Sequence, residues 1–311
     1  MPTVSMASDT LADSGTVTRG DVISAFKLLL EREPESEDIV SAFCGLKSLT
    51  ELRHAIMAAP EYVMKSIGTD VHAVPLVNFS HIHTVRMTAR RQEHLATLGL
   101  AVHGRSVLEI GAGIGFHSTF FLDRGCKVLA TDGRSENMNT MKAMYEAYRW
   151  YPAHANLEFA QLDIENIADG DIAPRDIVYS YGLLYHCANP DIAIRNMSSL
   201  CSHLLLLETG VSIGQYDQLN IGSEAASNVS QSIHGGGSHP TREWIFDTLK
   251  GHFAHVYCPT TQPRHEFFPI DWSAPKRFES QTIRTTFVAS REPLSNPFLA
   301  EEVPQQQTYA P

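Results

Sequence analysis

The chain has 311 residues, 43% of them hydrophobic, so it can hold one full α/β domain plus a small accessory unit. Its formal net charge of −11 repels polyanions on average, which disfavours a nucleic-acid substrate without excluding it. Five cysteines without C-x-x-C spacing predict neither a zinc cluster nor a disulfide framework, and they fit a reducing, cytoplasmic environment.

The first part of the chain predicts a tail followed by a helical unit. Residues 1–17 lack hydrophobic periodicity, and they lack the basic and apolar regions of a signal peptide. We therefore expect a disordered tail. Residues 18–66 carry three helix-start patterns, at Thr18, Ser36 and Ser48, and predict three short helices. This accessory unit either caps the main domain or binds a substrate or partner. No apolar run in the chain is long enough to span a bilayer.

Residues 67–105 predict a linker and then a helix, ARRQEHLATL, that leads into the first strand. Two histidines of this region, His81 and His83, are candidate metal ligands. Because no third ligand follows at a typical spacing, surface or pocket-lining positions are favoured for both, and no metal is expected.

A short apolar strand followed by alternate glycines starts the main domain. The segment VLEIGAGIG (residues 107–115) predicts a buried central strand of a parallel sheet. Gly111, Gly113 and Gly115 precede a helical pattern, and such a turn lets a ligand lie on the main chain at a helix N-terminus. A dinucleotide fingerprint would require a glycine where this chain has Phe116, which argues against NAD.

Glu109 lies beside these glycines, where a carboxylate favours a cationic ligand over a pyrophosphate. The whole segment resembles motif I of the class I S-adenosylmethionine (SAM) dependent methyltransferases. The resemblance implies a Rossmann-like α/β fold over residues 106–291, with a doubly wound, seven-stranded, mostly parallel sheet beside the N-terminal helical unit. It also implies that Glu109 lies near the methionine amino group of SAM and that the glycine loop passes under the cofactor.

Two carboxylates at the ends of the next strands extend the resemblance. Asp132 ends strand two (residues 127–131) and would accept hydrogen bonds from the ribose hydroxyls of SAM, unless it is only a turn or cap residue. After strand three (residues 157–162), the resemblance implies that Asp163 accepts from the adenine amino group and that Ile164 contacts the ring. The expected cofactor-binding residues are Glu109, Gly111, Ala112, Gly113, Gly115, Asp132, Gly133, Asp163, Ile164, Ser180 and Tyr181.

The loop after strand four (residues 175–180) opens at the sheet edge where the transferable methyl group would lie. Tyr185 and His186 of this loop are the expected catalytic residues. His186 is the candidate base for a hydroxyl acceptor, because an imidazole is close to neutral at working pH. The alternative is that His186 only shapes the cofactor pocket. Further candidates for substrate contact are Arg264, His265 and Glu266.

The remaining segments predict elements around that edge. Residues 210–240 are rich in Gly, Ser, Asn and Gln and predict a flexible insertion that acts as a lid or substrate-binding element. The final two strands, residues 253–259 and 282–290, are expected to pair antiparallel. The aromatic loop at residues 263–273 either walls the pocket or plugs the sheet edge. Residues 292–311 predict a disordered tail.

The sequence therefore predicts a SAM-dependent methyltransferase whose acceptor is an oxygen of a small molecule or sugar. One alternative is a tRNA-modifying (carboxy)methyltransferase, since the LLYH…P string is similar to enzymes that modify the wobble uridine. Another is a non-catalytic SAM-binding scaffold in a glycan-assembly complex, since LLLEREPESEDIV resembles a helical segment of bacterial methyltransferases and glycosyltransferases associated with surface glycans. An electropositive surface beside the pocket would favour the tRNA-modifying enzyme. Cofactor binding without turnover would favour the non-catalytic scaffold.

Overall fold

The computed structural model describes residues 16–59, 61–62, 74–147, 155–168, 172–214, 217–274, 278 and 282–311. The chain divides into two compact units, Met1–Val71 and His72–Pro311. Most of the expected tail at residues 1–17 lies outside the described residues, and so do residues 67–73 of the expected linker.

The described part of the smaller unit is helical, with α1 (Arg19–Leu30), α2 (Glu37–Cys44) and α3 (Leu49–Met57). Thr18, Ser36 and Ser48 cap these helices as predicted. Each side chain accepts a backbone N–H of the first turn, which satisfies a donor that the helix itself leaves unpaired. Apolar side chains of all three helices pack into one cluster, which includes Val22, Phe26, Val40, Leu52 and Ile56.

The larger unit is built on a central sheet. Its strands are β1 (Ser106–Ile110), β2 (Lys127–Asp132), β3 (Leu157–Gln161), β4 (Arg175–Tyr181), β5 (Cys201–Val211), β6 (Ile221–Ser223), β7 (Gly236–Ser238), β8 (His255–Pro259), β9 (Thr261–Gln262), β10 (Ile283–Ser290), β11 (Leu299–Ala300) and β12 (Thr308–Tyr309). In the described part of the chain, eight strands form the central sheet in the order β11-β8-β10-β5-β4-β1-β2-β3. Strands β1 to β5 pair parallel, and β10 pairs antiparallel with β5 and with β8.

Helices cover both faces of this sheet. They are α4 (Pro75–Phe79), α5 (Ile82–Thr97), α6 (Ser118–Leu122), α7 (Ser135–Ala147), α8 (Pro190–Ser199) and α9 (Arg242–Lys250). Successive residues of β1 point to opposite faces, so Val107 joins the core shared with α6 and α7, and Leu108 joins the core shared with α8 and α9. A parallel sheet buried on both faces is the doubly wound, mostly parallel architecture that the sequence predicts.

The C-terminal segment differs from the prediction. Residues 292–311, expected to be disordered, contribute β11, which pairs antiparallel with β8, and β12, which pairs parallel with β9. Gln307 is buried, donates to the carbonyl of Pro259 and accepts from the indole N–H of Trp272. The sheet gains its eighth strand, beyond the seven expected, because this segment satisfies backbone groups at the open edge of β8. Strands of two residues have no readable periodicity.

The expected insertion at residues 210–240 also contains regular structure. Gly210 and Val211 belong to β5, which is longer than the sequence suggests, and β6 pairs antiparallel with β7 inside the insertion. The predicted antiparallel pairing of the final two long strands is confirmed by the register of β8 and β10. The aromatic loop buries Phe268 and Trp272.

Candidate functional site

The glycine turn after β1 forms the floor of a cleft at the carboxyl ends of the parallel strands. Gly111, Gly113 and Gly115 have φ angles of +74°, +59° and +85°, which residues with a side chain rarely adopt. A Cβ atom at Gly111 would lie 2.9 Å from the Cβ of Leu183, so the turn also needs glycine for space. The amide of Ala112 donates to the carbonyl of Thr131, which ties the turn to β2.

Two adjoining cavities make up the cleft. The first has a volume of about 90 Å³ and lies over the ends of β2 and β3. The second has a volume of about 170 Å³ and lies between α5, the glycine turn and the loop after β4. Residues that line both cavities are Phe79, Gly111, Gly182, His186 and Ser230. The shared lining shows that the two cavities form one cleft.

Most of the predicted site residues meet in this cleft. Asp132, Gly133, Asp163 and Ile164 line the first cavity, and Ala112, Tyr181 and Tyr185 line the second. Gly111 and His186 line both cavities. Arg264, His265 and Glu266, considered as substrate contacts, line neither.

Four predicted cofactor residues also line neither cavity: Glu109, Gly113, Gly115 and Ser180. Gly113 lies under the ring of Phe79, and the carbonyl of Gly115 accepts from Tyr145. Ser180 is fully buried. These residues shape the turn and the strand behind the cleft.

Glu109 is buried and lines neither cavity. Its carboxylate accepts a hydrogen bond from the hydroxyl of Ser118 at the start of α6, and only 1% of the residue is exposed. Burial raises the pKa of Glu109 to about 8, because the charged form loses its hydration. The contact of Glu109 with the methionine amino group of SAM stays a prediction.

Asp132 organises the turn with both of its oxygens. One oxygen accepts from the amide of Gly113 at 2.9 Å, and the other accepts from the amide of Arg134 and from Asn137 Nδ2. Burial raises the pKa of Asp132 and these hydrogen bonds partly offset the shift. A carboxylate has about four lone-pair sites, so the side chain can still accept from a ligand in the first cavity.

Residues of the insertion cover the first cavity. Arg134 donates to the carbonyl of Ser232, Asn137 donates to the carbonyl of Val229, and His234 Nε2 lies 2.8 Å from an oxygen of Asp163. The insertion therefore closes over the two carboxylates at the ends of β2 and β3.

The loop after β4 places His186 between the two cavities. A 3₁₀ turn over Leu184–His186 leads to this position, and His186 Nδ1 lies 2.7 Å from Oε2 of Glu224 in the insertion. Burial lowers the pKa of His186, and the hydrogen bond with Glu224 offsets this only in part. Burial alone would raise the pKa of Glu224, but the hydrogen bond with His186 gives a net lowering. The pair therefore consists of a neutral imidazole and an ionised carboxylate near neutral pH.

A buried cluster of charges lies beside the second cavity, and the sequence did not suggest it. Glu208 lies near the carboxyl end of β5 and contacts Arg91 of α5 and Arg284 of β10. The guanidinium of Arg284 lies over the ring of Tyr185, 4.5 Å from its centroid. The sequence could have indicated one member of the cluster. Glu208 is a charged residue near the carboxyl end of an apolar strand, as Asp132 is on β2. Arg91, Arg284 and Glu224 carried no comparable pattern.

A family profile described as a methyltransferase domain matches residues 107–203. This range begins in β1 and ends in β5, and it includes the glycine turn, both carboxylates and the loop with His186. The chain carries a SAM-dependent methyltransferase domain. The prediction of a class I methyltransferase with SAM as its cofactor is therefore confirmed.

Two solved structures are similar to parts of this chain. The N-terminal domain of EvdMO1, crystallised in the presence of SAH and D-fucose, is 18% identical, with a TM-score of 0.51 over 68% of this chain and 84% of that one. Magnesium protoporphyrin IX methyltransferase (ChlM) from Synechocystis PCC 6803 with bound SAH is 13% identical, with a TM-score of 0.45 over 68% of this chain and 88% of that one. A comparison with curated proteins finds no significant match.

The residues of the cleft fit SAM. The backbone of Gly111 lines both cavities, and Asp132 and Asp163 offer acceptors at adjacent strand ends. In the part of the chain that the structure describes, no three His, Cys, Asp or Glu residues are grouped to hold a metal ion, and His81 and His83 stack on each other. Among the same residues, no helix is long and apolar enough to cross a membrane.

Proposed function

We propose that this methyltransferase moves the methyl group of SAM to an oxygen of a small molecule or sugar, with His186 as the base. The observation that carries the proposal is the pairing of His186 with Glu224 at the junction of the two cavities. An alcohol is a poor nucleophile unless its proton is removed as the new bond forms. A neutral, buried and oriented imidazole supplies that function.

The tautomer of His186 follows from its partner. Glu224 is ionised and can only accept, so Nδ1 of His186 carries the proton and Nε2 keeps its lone pair. Within the described residues Nε2 makes no hydrogen bond. The lone pair is therefore free to take the proton of a hydroxyl in the second cavity, and Glu224 stabilises the imidazolium that results.

The cofactor would occupy the first cavity and the boundary with the second. We assign the ribose hydroxyls to Asp132, the adenine to the surface of Asp163 and Ile164, and the methionine part to Gly111, Ala112 and the backbone of Tyr181. When bound, SAM supplies an electrophilic methyl group on a sulfonium. The protein residues orient the acceptor and exclude water, because the transfer needs close alignment more than charge neutralisation.

A sugar or similar small molecule fits the site better than a polymer does. The second cavity is compact, and the net charge of −11 opposes a polyanion. A structure with the same fold was crystallised with D-fucose, so sugars are the first class to test. The five unpaired cysteines favour a reducing compartment, and we therefore include a cytoplasmic location in the proposal.

The experiment is methyl transfer from labelled SAM into cell extracts separated into glycan, lipid, RNA and small-molecule pools. The proposal expects label in the small-molecule or glycan pool with the intact protein, and a loss of about 100-fold with His186→Gln. His103→Gln, an exposed histidine in the turn before β1, is the matched control and should retain full transfer. Label in the RNA pool, or equal transfer by His186→Gln, would refute the proposal.

A further inference from the structure

The buried cluster of Arg91, Arg284 and Glu208 beside the second cavity carries a net positive charge. Arg91 and Arg284 each contribute a positive charge and Glu208 contributes one negative charge, and all three side chains are at least 94% buried. A Cβ atom at Gly182 would lie 3.3 Å from one Nη atom of Arg91 and 3.5 Å from one of Arg284, so both guanidinium groups converge on this residue. A net positive charge in the interior is costly unless an anion accompanies it.

Arg91 has hydrogen-bonding capacity that the protein does not use. Its Nη2 is paired with Glu208 Oε2, but its Nε makes no hydrogen bond to any described residue. Arg284, in contrast, donates to Glu208 through both Nε and Nη2. A guanidinium group carries five N–H donors in a planar fork, so Arg91 is the member of the cluster that is left to bind a ligand.

Two more unpaired polar groups lie beside Arg91. The hydroxyl of Tyr181 and Nε2 of His117 are buried without a hydrogen-bond partner in the described part of the chain, and both residues line the second cavity with Arg91. Buried polar atoms are normally paired, so several unpaired ones around a single cavity indicate a polar ligand. A carboxylate accepts from a guanidinium and from a phenol hydroxyl at the same time.

We propose that the second cavity holds the carboxylate of the acceptor, bound by Arg91 and Tyr181. This inference rests on the proposed transfer to oxygen, and it narrows the acceptor to a hydroxy acid or an acidic sugar. His186, Gly182 and Arg91 line the same cavity. A uronate has a carboxylate and ring hydroxyls only a few bonds apart, so one molecule can reach both residues.

The test uses the intact chain saturated with SAH and titrated with propionate or with its uncharged isostere propionamide. Binding is followed by calorimetry and by the melting temperature. Propionate should bind and propionamide should not. Arg91→Met should weaken propionate binding by at least about tenfold, because a hydrogen-bonded charge pair is lost. Arg90→Met, which removes an arginine with an exposed ion pair to Glu93, should leave binding unchanged.

Several outcomes would overturn the inference. Equal binding of the acid and the amide, no binding of either, or unchanged propionate binding by Arg91→Met would each contradict it. If propionate binds only without SAH, the carboxylate site belongs to the amino-acid end of the cofactor.

The variants also need a control for folding. Arg91→Met leaves Glu208 paired with Arg284, and SAH binding by this variant shows that it is folded. Arg91→Lys keeps the positive charge and should retain part of the affinity for propionate. His186→Gln should keep propionate binding, so failure of the proposed transfer is distinguishable from failure of this inference.

Discussion

Nδ1 of His186 lies 2.7 Å from Oε2 of Glu224, so the loop after β4 and the insertion meet directly at the junction of the two cavities. Glu224 also accepts from the amide of Ser232 in the same insertion. The carboxylate of Glu224 is therefore fixed by the amide of Ser232 and in turn orients the imidazole of His186. This arrangement ties the orientation of His186 to the position of the insertion.

Glu224→Gln should lower kcat by at least about tenfold while leaving SAH affinity nearly unchanged, because the amide no longer stabilises the imidazolium. It should also move the acidic limb of the kcat profile to lower pH. The wild-type pKa of His186 is already below its ordinary value through burial, and the charge of Glu224 opposes that shift. Steady-state rates across pH test both effects, and Glu93→Gln on α5 is the control. A profile that does not move would show that His186 is not the titrating base.

Asp132→Ala should weaken SAH binding by about 1 to 3 kcal/mol, since a ribose hydroxyl would lose its acceptor. The same change frees the amide of Gly113, so the turn should also become less ordered. Calorimetric titration with SAH measures the effect. Asp247→Ala, at an exposed position on α9, should change nothing. Unchanged SAH affinity in Asp132→Ala would remove this residue from the proposed site.

Glu109→Gln should change how stability depends on pH. The pKa of Glu109 is raised to about 8 in the folded protein from an ordinary value of 4.5. Between these values the unfolded chain releases the proton and the folded chain keeps it, so the free energy of unfolding falls as pH rises.

The variant has no such group, so its stability relative to the wild type should rise from about pH 5 to about pH 8. Burial lowers the pKa of His94 to about 4, and this opposing contribution cancels in the difference between the two proteins. Urea unfolding at several pH values provides the measurement. A difference that is constant with pH would mean that Glu109 is ionised in the fold.

His234→Ala should speed the release of SAH. The residue contacts Asp163 from the insertion, and loss of this hydrogen bond should destabilise the closed insertion by about 1 kcal/mol. Stopped-flow displacement of SAH should show dissociation several times faster, with little change in kcat. His252→Ala, beyond the end of α9, is a matched histidine control. Equal dissociation rates in wild type and His234→Ala would argue against a role for the insertion as a lid.

The elements that carry the fold were predictable because each has a local signature. Apolar runs such as Val107–Ile110 identify the buried strands, and the glycines after β1 mark the turn at the cleft. Asp132 and Asp163 could be placed because they directly follow strands that run parallel, so their position at one sheet edge is a matter of topology.

The missing part of the site depends on contacts between distant segments. Glu224 reaches His186 across 38 residues, and Arg284 reaches Glu208 across 76. No periodicity links such positions. Glu109 has a clear motif, but its burial and its hydrogen bond from Ser118 could not be inferred from that motif. The C-terminal strands were missed because two-residue pairings at an open edge have no pattern of their own.

The crystal structure of the protein with SAH tests the central claim most directly. We expect the ribose hydroxyls within hydrogen-bond distance of Asp132, the adenine beside Ile164, and the thioether sulfur directed into the second cavity toward His186. A complex in which SAH lies outside the cleft, or in which the sulfur faces away from His186, would contradict the account.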